Sequence, residues 1–413
     1  MVLLLLVHEY TFDHEIRQSP APTTRRTAVI YQSQKPSTPI SADNVNTTSV
    51  KLLFWTTAHG LWPYPLVNSA RGMVLLGGCN TPCFVTRDRS LLKSVNAVVF
   101  HDRDADANDL PSYRDEHQRW VYWNMEAPPN SRPGRMARLR SVFNWTYTYR
   151  LDSDVPHPYF SFVNKSTQGV PPSRNAQETP SVRTNRSILV AWVASNCRTQ
   201  SRREDFVAEL RKHVPVDVYG RCGDLKCIEY PCQARFGETY YFYLALENCL
   251  CREYVTEKFY DALKHGMVPV VLGNYARTLA PPGSYIDALS FRTPQQLASY
   301  LKTVAANATL YELYFAWRQR YTLVEKPFHD HCDLCQALHD ARPGERKQYS
   351  DIVQWWHGNN VPILLARKAL HFGISKYVRS LKILQKQPEA VAERTKRSTL
   401  SSEGGHRGYR WHT

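Results

Sequence analysis

No run of about eighteen apolar residues occurs in the sequence, so the chain as written holds no membrane-spanning helix. The apolar start, Val2 to Val7, is too short for a signal-peptide core and lacks a basic flank. No internal repeat is visible, which argues against a repeat architecture. A second CxxC pair is also missing, and a structural zinc site would want one. Acid is scarce: 37 Asp and Glu face 52 Lys and Arg, a formal charge of +15. What is present excludes disorder as the main state, with 43% hydrophobic and only 22% charged residues. A length of 413 residues suffices for two domains with real cores.

The positive charge is unevenly placed. From Arg367 to the end, eleven Lys or Arg face three Asp or Glu, a net +8 in a stretch rich in Ser, Gly and Gln. A solvated, partly disordered basic tail explains this more simply than a patch for anionic lipid, glycan or nucleic acid. The body carries the other +7, which suits an anionic ligand such as a nucleotide. Ten cysteines form an even set, and glycosylation sequons occur at Asn46, Asn144, Asn164, Asn185 and Asn307. Cys332 and Cys335 form the CxxC of HDHCDLC, where a disulfide fits better than zinc. Disulfides and sequons together point to the secretory pathway, although spacing leaves the connectivity open.

Residues 1–48, rich in Pro, Ser, Thr and Gln, read as a stalk or linker. Short apolar runs follow: KLLFWTT from Lys51, NAVVFHDRD from Asn96 and RWVYWNMEAPP from Arg119. Each reads as a buried strand delivering polar side chains at its carboxyl end, the ligand edge of an open α/β sheet. VPPSRNAQETP at 170–180 reads as a hinge. A second series opens with the strand SILVAWVASN and the helix SRREDFVAELRKH, whose Phe206, Val207 and Leu210 share a face. VDVYG is a strand closed by Gly220, and YYFYLALEN leads to a helix with Val255, Phe259, Ala262 and Leu263 inward and Gly266 as C-cap. MVPVVLG is the next strand, completing a parallel βαβ unit. The chain thus reads as an α/β protein of two Rossmann-like halves facing a cleft. Its segments are the stalk at 1–48, halves at 49–175 and 181–345, and a basic extension at 346–413.

Glu257 and Lys258 fall in the first turn of the helix opening near Thr256. A helix N-terminus presents free N–H groups and partial positive charge, so it suits a phosphate. A lysine there opposes the helix dipole, and a bound anion resolves that conflict. A surface Glu–Lys pair is the plainer alternative.

LALENCLCREYVTEKFYDALKHGMVPVVLGNY, followed by APPGSYIDALSF, resembles the donor-binding signature of the α1,3-fucosyltransferases. VVFHDRD, WVYWNMEAPP, FNWTYTYRLDSDV, VAWVASNCRTQSRR, VDVYG, YLKTVAANATLYELYFAWR and CDLC continue the likeness in order, from Lys51 to Leu338. The resemblance implies a GT-B fold and transfer of L-fucose from GDP-β-L-fucose to an N-acetylglucosamine hydroxyl of a glycan, with inversion. It implies Glu126 as general base, and Arg203 and Lys258 on the diphosphate. Asn248, Tyr254 and Glu257 would take nucleotide and sugar hydroxyls, with His101 and Arg103 on the acceptor side. An in-line displacement needs one base and a stabilised leaving group. No metal is therefore required, Mn²⁺ being at most stimulatory, and the DSD of Asp152 to Asp154 reads as a structural turn. The resemblance also implies a type II Golgi membrane protein with a lumenal catalytic domain, Val2 to Val7 being a candidate remnant of its anchor.

The sequence departs from the family pattern at two points. Ala127 stands where a serine usually follows the base, and Cys249 makes LENC of the usual FENS, an extra thiol near the donor site. These departures motivate a second reading, a non-catalytic relative that binds glycan or nucleotide. A third is a basic heparin- or nucleic-acid-binding protein using the tail; the fucosyltransferase reading implies no nucleic-acid partner.

Overall fold

The computed structural model describes residues 49–63, 71–168, 186–227, 232–273, 279–326, 330–342 and 347–358. The stalk, the hinge at 170–180, the tail from Arg367 and the sequons at Asn46 and Asn185 lie outside the described residues.

The apolar runs become strands buried on both faces, as parallel sheets covered by helices require. The first sheet holds β1 (Val50–Phe54), β2 (Val74–Leu75), β3 (Cys83–Thr86), β4 (Ala97–His101), β5 (Arg119–Asn124), β6 (Trp145–Thr148) and β7 (Val155–Pro156). Its order is β2-β3-β1-β4-β5-β6-β7, parallel throughout except β2 against β3. Every residue of β4 and β5 is buried, and Val99 pairs with Val121 between them. α1 (Pro133–Met136) packs in this half.

The strand β8 (Phe160–Asn164) then leaves this sheet. A second sheet follows, with β9 (Ile188–Val193), β10 (Val216–Tyr219), β11 (Tyr240–Leu244), β12 (Val268–Val271) and β13 (Ile286–Asp287) in the order β10-β9-β11-β12-β13. All its pairings are parallel. The helices of this half are α2 (Arg203–Leu210), α3 (Gln233–Thr239), α4 (Glu257–Lys264), α5 (Pro294–Ala306) and α6 (Ala308–Leu313). α2 buries Phe206, Val207 and Leu210, as their spacing requires. α4 ends where Gly266 takes φ 76°, the left-handed conformation that terminates helices.

Packing exchanges segments between the halves. β14 (Tyr321–Glu325) pairs antiparallel with β8, and Phe160 belongs to the second core. α7 (Cys332–His339) and α8 (Ile352–His357) return to the first core, burying Leu334, Cys335, Ile352 and Trp356 there. Through these two helices the chain re-enters the first core after the second sheet is complete. The result is two doubly wound α/β halves in the GT-B arrangement.

Candidate active site

In a sheet of order 2-1-3-4-5, ligands bind beyond the carboxyl ends of the strands where the order reverses. In the second sheet that point lies between β9 and β11. Arg203 opens α2 beside it, only 3% exposed, and its Nη1 and Nη2 donate to the carbonyls of Leu246 (2.5 Å) and Asn196 (3.2 Å). The buried Nε of Arg203 and Oδ1 of Asn248 have no hydrogen-bond partner among the described residues. Such orphaned polar atoms in a crevice mark where a ligand fits. Two non-glycine residues, Arg202 (φ 54°) and Glu253 (φ 59°), hold left-handed backbone beside this crevice, a strain concentrated at functional sites.

The loop from β11 to α4 carries the charge. Glu247 is buried, and its Oε1 accepts from both the backbone N and the hydroxyl of Thr256, each at 2.8 Å. Thr256 is the N-cap of α4, yet its hydroxyl makes no capping bond. The first turn therefore keeps donors for another acceptor. Lys258 Nζ donates to Thr256 Oγ1 (2.9 Å) and Glu257 Oε1 (2.8 Å) and lies 3.3 Å from Glu247 Oε2. Burial works against its charge, but Glu247 and Glu257 hold the ammonium above its ordinary pKa. Burial raises the Glu247 carboxyl, which Lys258 opposes. One turn along, burial and the like charges of Glu257 and Glu325 push Asp261 up to about 7.

In the first sheet the order reverses between β1 and β4. His101 ends β4 there, its backbone N donating to Thr56 Oγ1 and its ring 4.8 Å from His59 and 5.2 Å from Trp123. Burial, then the nearby His59 and Arg103, hold its pKa well below the usual value, so His101 is neutral. Arg103 Nη1 lies 3.2 Å from His59 Nδ1, and His59 also takes a left-handed backbone (φ 55°). Glu126 follows β5: its N donates to Asn124 Oδ1, and its Oε2 accepts from Asn130 Nδ2, both at 2.8 Å. Asn130 sits on the Pro128–Asn130 turn that Ala127 caps, and Ala127 is fully buried. The carboxylate is thus oriented by Asn130, and Ala127 beside it brings no hydroxyl. Tyr159 and Tyr254 are buried between the halves, and the charges of Glu126, Glu247 and Glu257 all act on their hydroxyls, which burial already keeps protonated.

The structure therefore gathers Arg203, Asn248, Glu257 and Lys258 at one crevice and His101 and Arg103 at the other, with Glu126 and Tyr254 between. Asp152 pairs with Arg150 and Arg252, and Asp154 accepts from Thr146 and Tyr349, so both acids of DSD hold the fold. All ten cysteines are paired: Cys79–Cys332, Cys83–Cys335, Cys197–Cys222, Cys227–Cys232 and Cys249–Cys251. Cys332 and Cys335 are disulfide-bonded to β3 and its approach, and Cys249 is not a free thiol. Cys79, Asp330 and Cys332 converge within 4.8 Å, but both sulfurs are already committed to their disulfide. Sequence reasoning did not single out Glu247, His59, Tyr159 or Glu253. Glu247 alone carried a signal, as the acid beside Asn248 in LEN.

Residues 47–160 match the family described as Fucosyltransferase, N-terminal, and residues 183–355 match Glycosyltransferase family 10 (fucosyltransferase) C-term. Alpha-(1,3)-fucosyltransferase C of Drosophila melanogaster is 38% identical over 297 residues, covering 66% of this chain and 69% of the relative. The 3-galactosyl-N-acetylglucosaminide 4-alpha-L-fucosyltransferase FUT3 of Pan troglodytes is 34% identical over 316 residues, 74% of this chain and 79% of the relative. A crystal structure of an alpha1,3-fucosyltransferase with GDP-fucose aligns over 64% of this chain and 83% of its own, at 14% identity and a TM-score of 0.42. With matches to both family descriptions spanning most of its folded residues, the chain belongs to glycosyltransferase family 10, as an α-1,3-fucosyltransferase.

Proposed function

We propose that the enzyme moves L-fucose from GDP-β-L-fucose to a hydroxyl of N-acetylglucosamine in a glycoprotein or glycolipid glycan, forming an α1,3 linkage with inversion. The observation that carries this reading is the tyrosine pair at the seam, Tyr159 and Tyr254, whose rings lie 6.4 Å apart. Tyr159 Oη donates to the Met125 carbonyl beside Glu126 at 2.6 Å, and the charges of Glu126, Glu247 and Glu257 all reach both hydroxyls. A base on one side and an anion-binding crevice on the other are what a single in-line displacement needs. The acceptor hydroxyl is a poor nucleophile at neutral pH, and Glu126, oriented by Asn130, takes its proton as attack proceeds. Arg203, Lys258 and the first turn of α4 hold the diphosphate and stabilise the charge on the departing GDP. Asn248, Tyr254 and Glu257 hold nucleotide and sugar hydroxyls. His101 and Arg103 face the acceptor, whose N-acetylglucosamine character the name of the chimpanzee relative supports.

The five disulfides suit an oxidising compartment, and we place the catalytic halves in the Golgi lumen. Among the described residues no helix is long and apolar enough to cross a membrane. The test is transfer from labelled GDP-fucose to free lactosamine, sialyl-lactosamine and a trimmed N-glycopeptide. Fucose appearing on one of them supports the reading; silence on all three with GDP still bound would favour a non-catalytic relative.

A further inference from the structure

The charges in the second crevice cancel among themselves before a nucleotide arrives. Arg203 and Lys258 supply two positive charges, and Glu247 and Glu257 supply two negative ones. Both hydrogen bonds of the Lys258 ammonium go to Thr256 and Glu257, and Glu247 Oε2 stands 3.3 Å off. A diphosphate held by Lys258 must draw it from these partners. Glu257 is part-exposed and can turn toward solvent or a donor hydroxyl. Glu247 cannot: its side chain is 1% exposed, and its Oε1 is fixed by the two bonds from Thr256. Among the described residues its Oε2 accepts no hydrogen bond, so withdrawing Lys258 would leave a buried charge without its nearest cation, an outcome proteins avoid by protonation.

Resting on the donor reading above, we propose that Glu247 is a positioning residue coupled to donor binding. It steers Lys258 and Thr256 at the mouth of α4, and its Oε2 takes up one proton from solvent when the nucleotide diphosphate draws Lys258 away. The groups facing Glu247 fit this role. Lys258 of α4 and Arg203 of α2 favour its ionised form, and Glu257 of α4 opposes it. Tyr254 of the loop and Tyr159 ahead of β8 are neutral neighbours whose hydroxyls burial holds protonated. Burial already raises the Glu247 carboxyl against the pull of Lys258, so loss of that pull raises it further.

The experiment is calorimetric titration of the wild-type protein with GDP-fucose, without acceptor, in buffers of different ionisation enthalpy and across neutral pH. The phosphodiester groups of GDP-fucose do not titrate there, so proton uptake reports on the protein. The expected result is uptake approaching one proton per donor bound, and an affinity that weakens by up to about tenfold per pH unit as pH rises. Glu247→Gln mimics the protonated residue: its proton uptake and pH slope on binding donor should fall to the part contributed by Asp261, which is held at about 7 beside Glu257 and Lys258. Donor bound by the wild type without proton uptake, or uptake unchanged in Glu247→Gln, overturns the inference and leaves the donor reading standing. Failure of the wild type to bind GDP-fucose removes the donor reading itself. The wild-type titration decides the first point even if the variant does not fold.

Discussion

The two sheets share a strand pattern and a way of opening a crevice, but fill it with opposite chemistry. At the ends of β1 and β4 stand His59 and a neutral buried His101, with Trp123 of β5 packed against His101 in the core and Arg103 beside His59. Beyond β9 and β11 stand Arg203, Glu247, Glu257 and Lys258, charged and interlocked. In both, left-handed backbone at a non-glycine residue aims the loop. A common backbone device therefore leaves ligand class to the side chains. Neutral aromatic and imidazole groups suit a sugar, and paired ions suit a diphosphate.

Four measurements would break or sharpen this contrast. With Glu126 as the proposed base, Glu126→Gln should lower turnover by about a hundredfold or more, with GDP-fucose affinity retained. Near-normal turnover would remove Glu126 as the base. Lys258→Ala should cost about tenfold or more in donor affinity, the usual worth of a charged hydrogen bond, while acceptor KM stays put. Arg103→Ala should act the other way, raising acceptor KM a few-fold, roughly what a partly exposed contact contributes, with donor affinity unmoved. A donor effect in that variant would merge the two crevices into one.

The smallest effect concerns stability, and its sign differs between the halves. His357, in the first core, is pushed by burial down to about 4, so the native protein keeps it neutral while the unfolded chain protonates. Its contribution is full above the unfolded pKa of 6.5 and is lost as pH falls toward 4. Asp261, in the second half, is held up at about 7 by burial and then by Glu257 and Glu325. Its contribution is full below 3.8 and is lost as pH rises through 7. Asp261→Asn should thus stabilise the protein by about 1 kcal/mol at mildly alkaline pH and change little in acid. Thermal melts across pH, wild type against variant, would check it; a gain confined to acid would reverse the sign.

Local features of this fold were legible in the sequence because local forces make them. Fully apolar runs gave β4, β5, β9, β11 and β12, helical spacing gave α2 and α4, and Gly266 stopped α4. Spacing alone leaves Lys258 open between an anion contact and a surface pair with Glu257, and its contacts with Thr256, Glu257 and the buried Glu247 are three-dimensional information that spacing does not carry. What stayed hidden depends on distance. The return of α7 and α8 to the first core and the pairing of β8 with β14 join residues far apart in the chain. Glu247 escaped notice because a buried acid and a surface acid are the same letter; only its bonds to Thr256 and its place beside Lys258 distinguish it. His59 reads as an ordinary turn residue until the fold lays it on His101.

The bonds Cys79–Cys332 and Cys83–Cys335 span 253 and 252 residues. Closing a loop of that size removes about 5 kcal/mol of freedom from the unfolded chain, the second bond adding less than the first. They also impose a timetable on biosynthesis. The strand β3 emerges early from the ribosome, but its covalent partners on α7 arrive only after the whole second sheet has been made. The amino-terminal half thus cannot finish on its own; it waits, with two thiols open, for helix α7 to emerge. A chain cut short before Cys332 keeps both thiols without their partners, so a thiol probe would distinguish the unfinished enzyme from the finished one.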